Sequence, residues 1–224
     1  MRTDFFYKKC IILIGIFFFF GCVITGFVYR AFPKKCNLGA EFYFLVSQEE
    51  SVEAGAEFVK LEGGAGYVLK RDGQVYVVLS VYLREQDALA VQEVLSAQSR
   101  ETRLLSLNVA KLCFRGKKEK EKSGFYIGAL QSLYGCLVVL ENGVAKLEKG
   151  LTQEKAKGLL ATVKKQLSFM SEIYAESYSI FSDFCTEFAN KLQKESDGIL
   201  YVSDLRYILC EGVAQYLQFT TEFV

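Results

Sequence analysis

The chemistry open to this chain is narrowed first by the residues it lacks. Among 224 residues there is no His, no Trp and a single Pro. The absence of His removes most hydrolases of the Ser or Cys triad type, the usual zinc enzymes and His-based acid–base chemistry. Cys36, Cys113, Cys136, Cys185 and Cys210 show no C-x-x-C or metal-like spacing. They read as buried free thiols, with a disulfide between helices left open. Asp and Glu are scattered along the chain, and no pair is marked for acid–base work. Gly63-Gly64-Ala65-Gly66 precedes a strand and lacks the Lys-Ser/Thr of a phosphate loop, so it reads as a helix stop and turn. The expectation is a non-enzyme with no metal site and no cofactor.

What remains is aromatic and apolar contact chemistry. Tyr43 and Tyr76 lead two apolar strand-like runs, Tyr43–Ser47 and Tyr76–Ser80, spaced 33 residues apart. Each run ends in Ser and precedes a helix with Ala at the matching place, Ala54 and Ala88. Two tyrosines on an open sheet could stack on sugar rings; ordinary strand packing, or coverage by the C-terminal part, is the plainer alternative. A second cluster, Phe181, Phe184 and Phe188, reads either as a partner-binding face or as bundle core.

The elements needed to position these residues follow from patterning. Strands are predicted at 41–47, 67–70, 74–82 and 102–109, and helices at 48–61 and 84–99. Asp72-Gly73 is a hairpin signal. The order is βαββαβ. Alternation puts Phe44, Val46, Val77, Leu79 and Val81 toward the helices. It puts Tyr43, Leu45, Ser47, Tyr76, Val78, Ser80 and Tyr82 on the opposite face, with Lys70, Ser106 and Asn108 joining it.

Residues 42–95 (FYFLVSQEESVEAGAEFVKLEGGAGYVLKRDGQVYVVLSVYLREQDALAVQEVL) resemble a SPOR domain, the sporulation-related repeat. The resemblance lies in the strand, the Ala-bearing helix, the Gly-aromatic strand, the hairpin, the Tyr/Val strand and the charged turn before a second helix. It implies a four-stranded antiparallel sheet with two helices on one face. It also implies an open face that binds peptidoglycan glycan strands stripped of stem peptides. The residues this face would offer are Tyr43, Leu45, Ser47, Tyr76, Val78, Ser80 and Asn108. Leu45 stands where the family carries Gln, and Ser80-Val81-Tyr82 replaces its Gly-Pro-Phe.

Residues 124–224 read as helices near 124–149, 153–195 and 199–222. Apolar residues step by three and four, as in Leu130, Leu133, Leu137, Leu140 and Val144. An unbroken middle helix would be about 64 Å long, so it either projects or breaks around Ser168–Ser171. Residues 111–123 (KLCFRGKKEKEKS) read as a charged, solvated linker.

The net charge of +1 conceals segments: +5 over residues 1–40, −5 over 41–110, +4 over 111–122 and −3 over 123–224. Acidic bodies do not suit nucleic acid as a partner. From Cys10 to Tyr29 run 20 residues without a formal charge, long enough for a helix across a hydrocarbon core of about 30 Å. The expected organisation is a tail and single-pass anchor (1–35), a SPOR-like α+β domain (36–110), the linker (111–123) and an antiparallel helical bundle (124–224). The short basic tail suits a cytoplasmic N-terminus with the bulk of the chain outside. Two functional expectations follow. One is a membrane-anchored peptidoglycan-binding protein at a division or sporulation septum. The other is a membrane-tethered scaffold that meets an envelope or septal protein through its helical part, without glycan binding.

Overall fold

A computed structural model describes residues 34–36, 38–47, 52–71, 73–109, 112–114 and 117–221. The expected anchor at 10–29 and the end of the last expected helix, 222, lie outside these residues, as do 48–51 of the first expected helix. The fold is mixed α+β, with a small antiparallel sheet followed by a helical C-terminal part.

The elements in order are β1 (Lys34–Cys36), β2 (Glu41–Ser47), α1 (Val52–Leu61), β3 (Tyr67–Arg71), β4 (Gln74–Tyr82), α2 (Glu85–Ala97), β5 (Thr102–Asn108) and β6 (Leu112–Phe114). Four helices follow: α3 (Lys117–Glu148), α4 (Gln153–Tyr174), α5 (Ser179–Asp197) and α6 (Val202–Thr221). Strands β2 to β5 form an antiparallel sheet in the order β3-β4-β2-β5. The expected βαββαβ order is therefore present. β2 and β4 sit centrally because Val, Leu, Phe and Tyr runs fill both faces of a pleated strand.

Gly63 and Gly64 close α1 by donating to the Lys60 and Val59 carbonyls at 3.0 and 2.8 Å. Gly66, at φ +61°, then turns the chain into β3; a Cβ there would run into the Ala56 carbonyl oxygen.

Two readings are corrected at the junction of the halves. Residues 111–123 are not a free linker. Leu112–Phe114 pair with Lys34–Cys36 as a separate two-stranded ribbon, and α3 begins at Lys117. Within the supposed solvated run, Lys120 and Ser123 are buried. The middle helix does break, at 175–178 and not at Ser168–Ser171, giving four helices. The Ser177 and Tyr178 amides turn back onto the Tyr174 carbonyl at 3.2 and 2.8 Å.

Helices α3 and α4 pack together, as do α4 and α5, and α6 lies against α3 and against strands β3 and β4. The apolar seams fill the bundle core: Leu130, Leu133, Leu137, Leu167, Val213 and Phe219 are fully enclosed. By length and composition, Glu119–Glu148 is the one helix among the described residues long and apolar enough to cross a membrane. Here its apolar face packs against α4, α6 and Phe42. One buried cluster runs from Phe42 and Phe44 in the sheet to Phe219 in the last helix. Each large side chain enclosed this way contributes roughly 1.5–3 kcal/mol relative to exposure.

Candidate functional site

The residues expected to form an open sheet face do not share one. Alternation and the β2–β4 register put Phe42, Phe44, Val46 and Val78 on one side, against the bundle. Phe42 meets Tyr134 of α3 and Tyr216 of α6 edge-on, with ring centroids at 6.0 and 5.4 Å. Tyr67 of β3 meets Tyr207 of α6 at 5.5 Å. Val77 and Leu79 lie on the other side with Val59 and Ala56 of α1 and Leu95 of α2.

The expected orientation of Val77 and Leu79 toward the first two helices therefore matches the structure, as does placing Tyr76 and Val78 opposite them. Phe44, Val46 and Val81 are corrections, because they join the bundle-side cluster. There are two physical causes. Phe44, Leu45 and Val46 are all completely enclosed, so hydropathy carries no face information there. In addition the register slips between Leu45 and Val46, which pair with Ser80 and Val78, so Leu79 is an extra residue and parity reverses along β4.

Taken singly, Leu45, Val78 and Ser80 are buried, while Tyr43, Ser47 and Tyr76 are half-buried. Asn108 and Ser106 are exposed on the edge strand β5. Ser106 donates to Glu41 at 2.6 Å, and this bond together with one from Tyr43 holds the Glu41 carboxyl below its usual range. Tyr76 donates to Gln74. Together these do not make a continuous polar groove.

Nor do the phenylalanines make a surface. Phe181 and Phe188 are buried, Phe184 is half-buried, and both Phe181 and Phe184 pack on Phe219. They are core, the second of the two readings their spacing allowed.

Two features went unread in the sequence. The first is a cleft of about 330 Å³ between the end of β4, α2 and the C-terminal part of α3. The Leu83 amide donates to Glu141 at 2.8 Å, and Arg84 pairs with Asp87 at 2.7 Å. Burial raises the Glu141 carboxyl above its usual range, with Asp87 adding and the Leu83 bond opposing. Burial also raises Tyr82, partly offset by Arg206. Arg206 itself holds the halves together: it donates to Glu148 at 2.7 and 3.0 Å and to the Gly63 carbonyl at 2.6 Å. Lys60 pairs with Asp204 at 2.9 Å nearby.

The second is an apolar rim around an open cleft of about 640 Å³, where the end of α1 meets the start of α6. Leu61 and Tyr201 line the cleft and are 88% and 58% exposed; Phe58 and Ile199 nearby are exposed as well. No signal in the sequence joined these residues, because Leu61 and Tyr201 are 140 positions apart.

Burial pushes the Cys185 thiol up to about 12 and raises Cys210 further. All five described cysteines are free, and no group of three or more His, Cys, Asp or Glu among the described residues is arranged to hold a metal. No family model matches the chain, and neither curated proteins nor solved structures give a match.

Proposed function

We propose that this is a membrane-tethered interaction protein that meets a protein partner through the rim formed by Phe58, Leu61, Ile199 and Tyr201. The observation that carries this reading is the rim itself. Leu61 and Tyr201, from two distant parts of the chain, stay exposed around one cleft, and Phe58, one helical turn before Leu61, and Ile199, two residues before Tyr201, are exposed as well; exposed apolar surface of this kind is the usual mark of a contact site. Lys60 and Asp204 border it with opposite charges, which would orient a partner.

The ferredoxin-like or SPOR-like reading of the sheet is compatible with the strand order. A glycan-binding role requires the sheet face away from α1 and α2, which α3 and α6 occupy, and Leu45, which stands where the resembled family carries Gln, alternates away from that face and is enclosed. Membrane attachment rests on the uncharged run at 10–29, and an extracytoplasmic body on the short basic tail.

A photo-crosslinking amino acid at position 61 in the full chain, expressed in its own cells, tests the reading. The expected outcome is one discrete protein adduct, lost when Tyr201→Ser is added. A ladder matching that from a control at exposed Glu93, or no adduct, would sink it.

A further inference from the structure

We propose that the opposite end of the bundle, formed by Phe125, Phe169, Ile173 and Ile180, rests in the interfacial layer of the lipid bilayer. This inference rests on the membrane tether and on nothing else in the proposed function. All four residues are exposed; Ile180 is 62% and Phe169 61% accessible.

They belong to one end of the molecule. Phe125 touches Tyr174 at 4.5 Å between centroids, and Tyr174 touches Phe181 at 5.2 Å. Ser182 donates to the Ser171 carbonyl at 2.8 Å, which sets the antiparallel level of α4 and α5 and brings Ile180 to the height of Ile173. Phe169 and Ile173, four residues apart, share a helix face. The other end is fixed by Gln153, whose amide pairs with both backbone groups of Leu200 at 2.9 and 3.0 Å. The partner rim therefore lies at the far pole.

The bilayer is the occupant because of where the chain enters. Lys34 pairs with Phe114, and Phe114 stacks on Tyr126, the neighbour of Phe125. Tyr126 in turn meets Tyr178 at the start of α5. Tyr29, the last residue of the uncharged run, precedes Lys34 by five residues, at most about 18 Å of extended chain. A membrane holding residues 10–29 must then lie within that distance of this end.

The charges agree with the placement in part. Lys34 and Lys35 lie in the ribbon itself, and the basic stretch 111–122 runs through its second strand into the start of α3 at the same pole, as juxtamembrane basic segments do. Glu172 and Glu176 are exposed near the α4–α5 turn, so attraction to anionic lipid falls to the start of α3 and apolar insertion to the turn.

The lack of native Trp makes the test direct. Full-length Phe169→Trp, Ile180→Trp and Ile199→Trp variants are placed in phosphatidylcholine–phosphatidylglycerol vesicles carrying lipids brominated at shallow acyl positions. Flotation of the chain with the vesicles reports the tether. For a chain that floats, indoles at 169 and 180 should be quenched about two-fold or more beyond the indole at 199. Equal quenching at all three positions overturns the proposal and leaves the tether standing. A chain that stays behind overturns both. Gln131→Trp, on the exposed side of mid-α3, covers the remaining alternative: strong quenching there by deep-brominated lipids would mean that α3 itself enters the membrane, which also overturns the proposal.

Discussion

At the scale of single residues, the positions that matter most here are those where space or charge leaves no slack. Gly212 of α6 lies where a Cβ would come 2.8 Å from both Leu137 and Phe188. Gly212→Ala should therefore cost about 1–3 kcal/mol, read as a lower denaturation midpoint, because the neighbours are ring and branched carbons packed in the core. Its spacing from Leu205, Leu209, Tyr216 and Phe219 puts Gly212 on the apolar seam of α6, but spacing alone does not show that its missing side chain is what lets α6 approach Leu137 of α3 and Phe188 of α5. Phe188→Ala should cost about 3–5 kcal/mol by cavity formation, so loss of any partner with this variant would report unfolding and not a lost contact. Glu141 makes a prediction in pH. Its carboxyl is raised mainly by burial, so the folded state holds the proton more tightly than the unfolded chain does. The favourable contribution is complete below the unfolded pKa, near 4.3, and is lost as pH rises through the folded value. Glu141→Gln keeps an acceptor for the Leu83 amide while removing the buried charge. Its melting temperature at pH 7.5 should equal or exceed that of the parent, and the rise in stability on acidification from pH 7.5 toward pH 5 should be smaller.

At the scale of elements, the pattern of legibility has a physical basis. β2 and β4 were read to the residue, since an apolar run of seven to nine bounded by turn residues has few other ways to fold. The break between α4 and α5 was misplaced, because Ala175, Glu176 and Ser177 include no Gly or Pro, and the turn is imposed by the packing of Tyr174 and Tyr178 on Phe181. The charged stretch before α3 misled for a different reason. Lys and Glu are good helix formers, and a Lys stem can lie along apolar surface while its charge finds a partner. The ribbon of β1 and β6 was illegible because each strand is three residues long and its mate is nearly 80 positions away. Arg206 tests how the elements are joined. It satisfies acceptors on α3 and on the glycine turn after α1 with one planar group, which Lys cannot reproduce. Arg206→Lys should cost about 1–2 kcal/mol. Amide exchange should rise at Gly63–Ala65 while the core of α5 stays protected.

At the scale of the whole molecule, the sheet and the bundle share one core. Phe42, Tyr67 and Val78 are covered by helices encoded more than 50 residues downstream. The sequence alone suggested two domains because each half has its own period, near two residues and near three and a half, and periodicity says nothing about which face meets which. The rim of Phe58, Leu61, Ile199 and Tyr201 was invisible for the same reason, since it exists only once α1 and α6 are brought end to end. The sheet face away from α1 and α2 is closed by the chain's own helices, so no binding of glycan strands is expected there. Sedimentation of the full-length protein with denuded peptidoglycan glycan strands tests this most directly. The protein should stay in the supernatant, and Tyr76→Ala and Asn108→Ala should behave identically to the parent. Pelleting with the strands, abolished by either substitution, would contradict it.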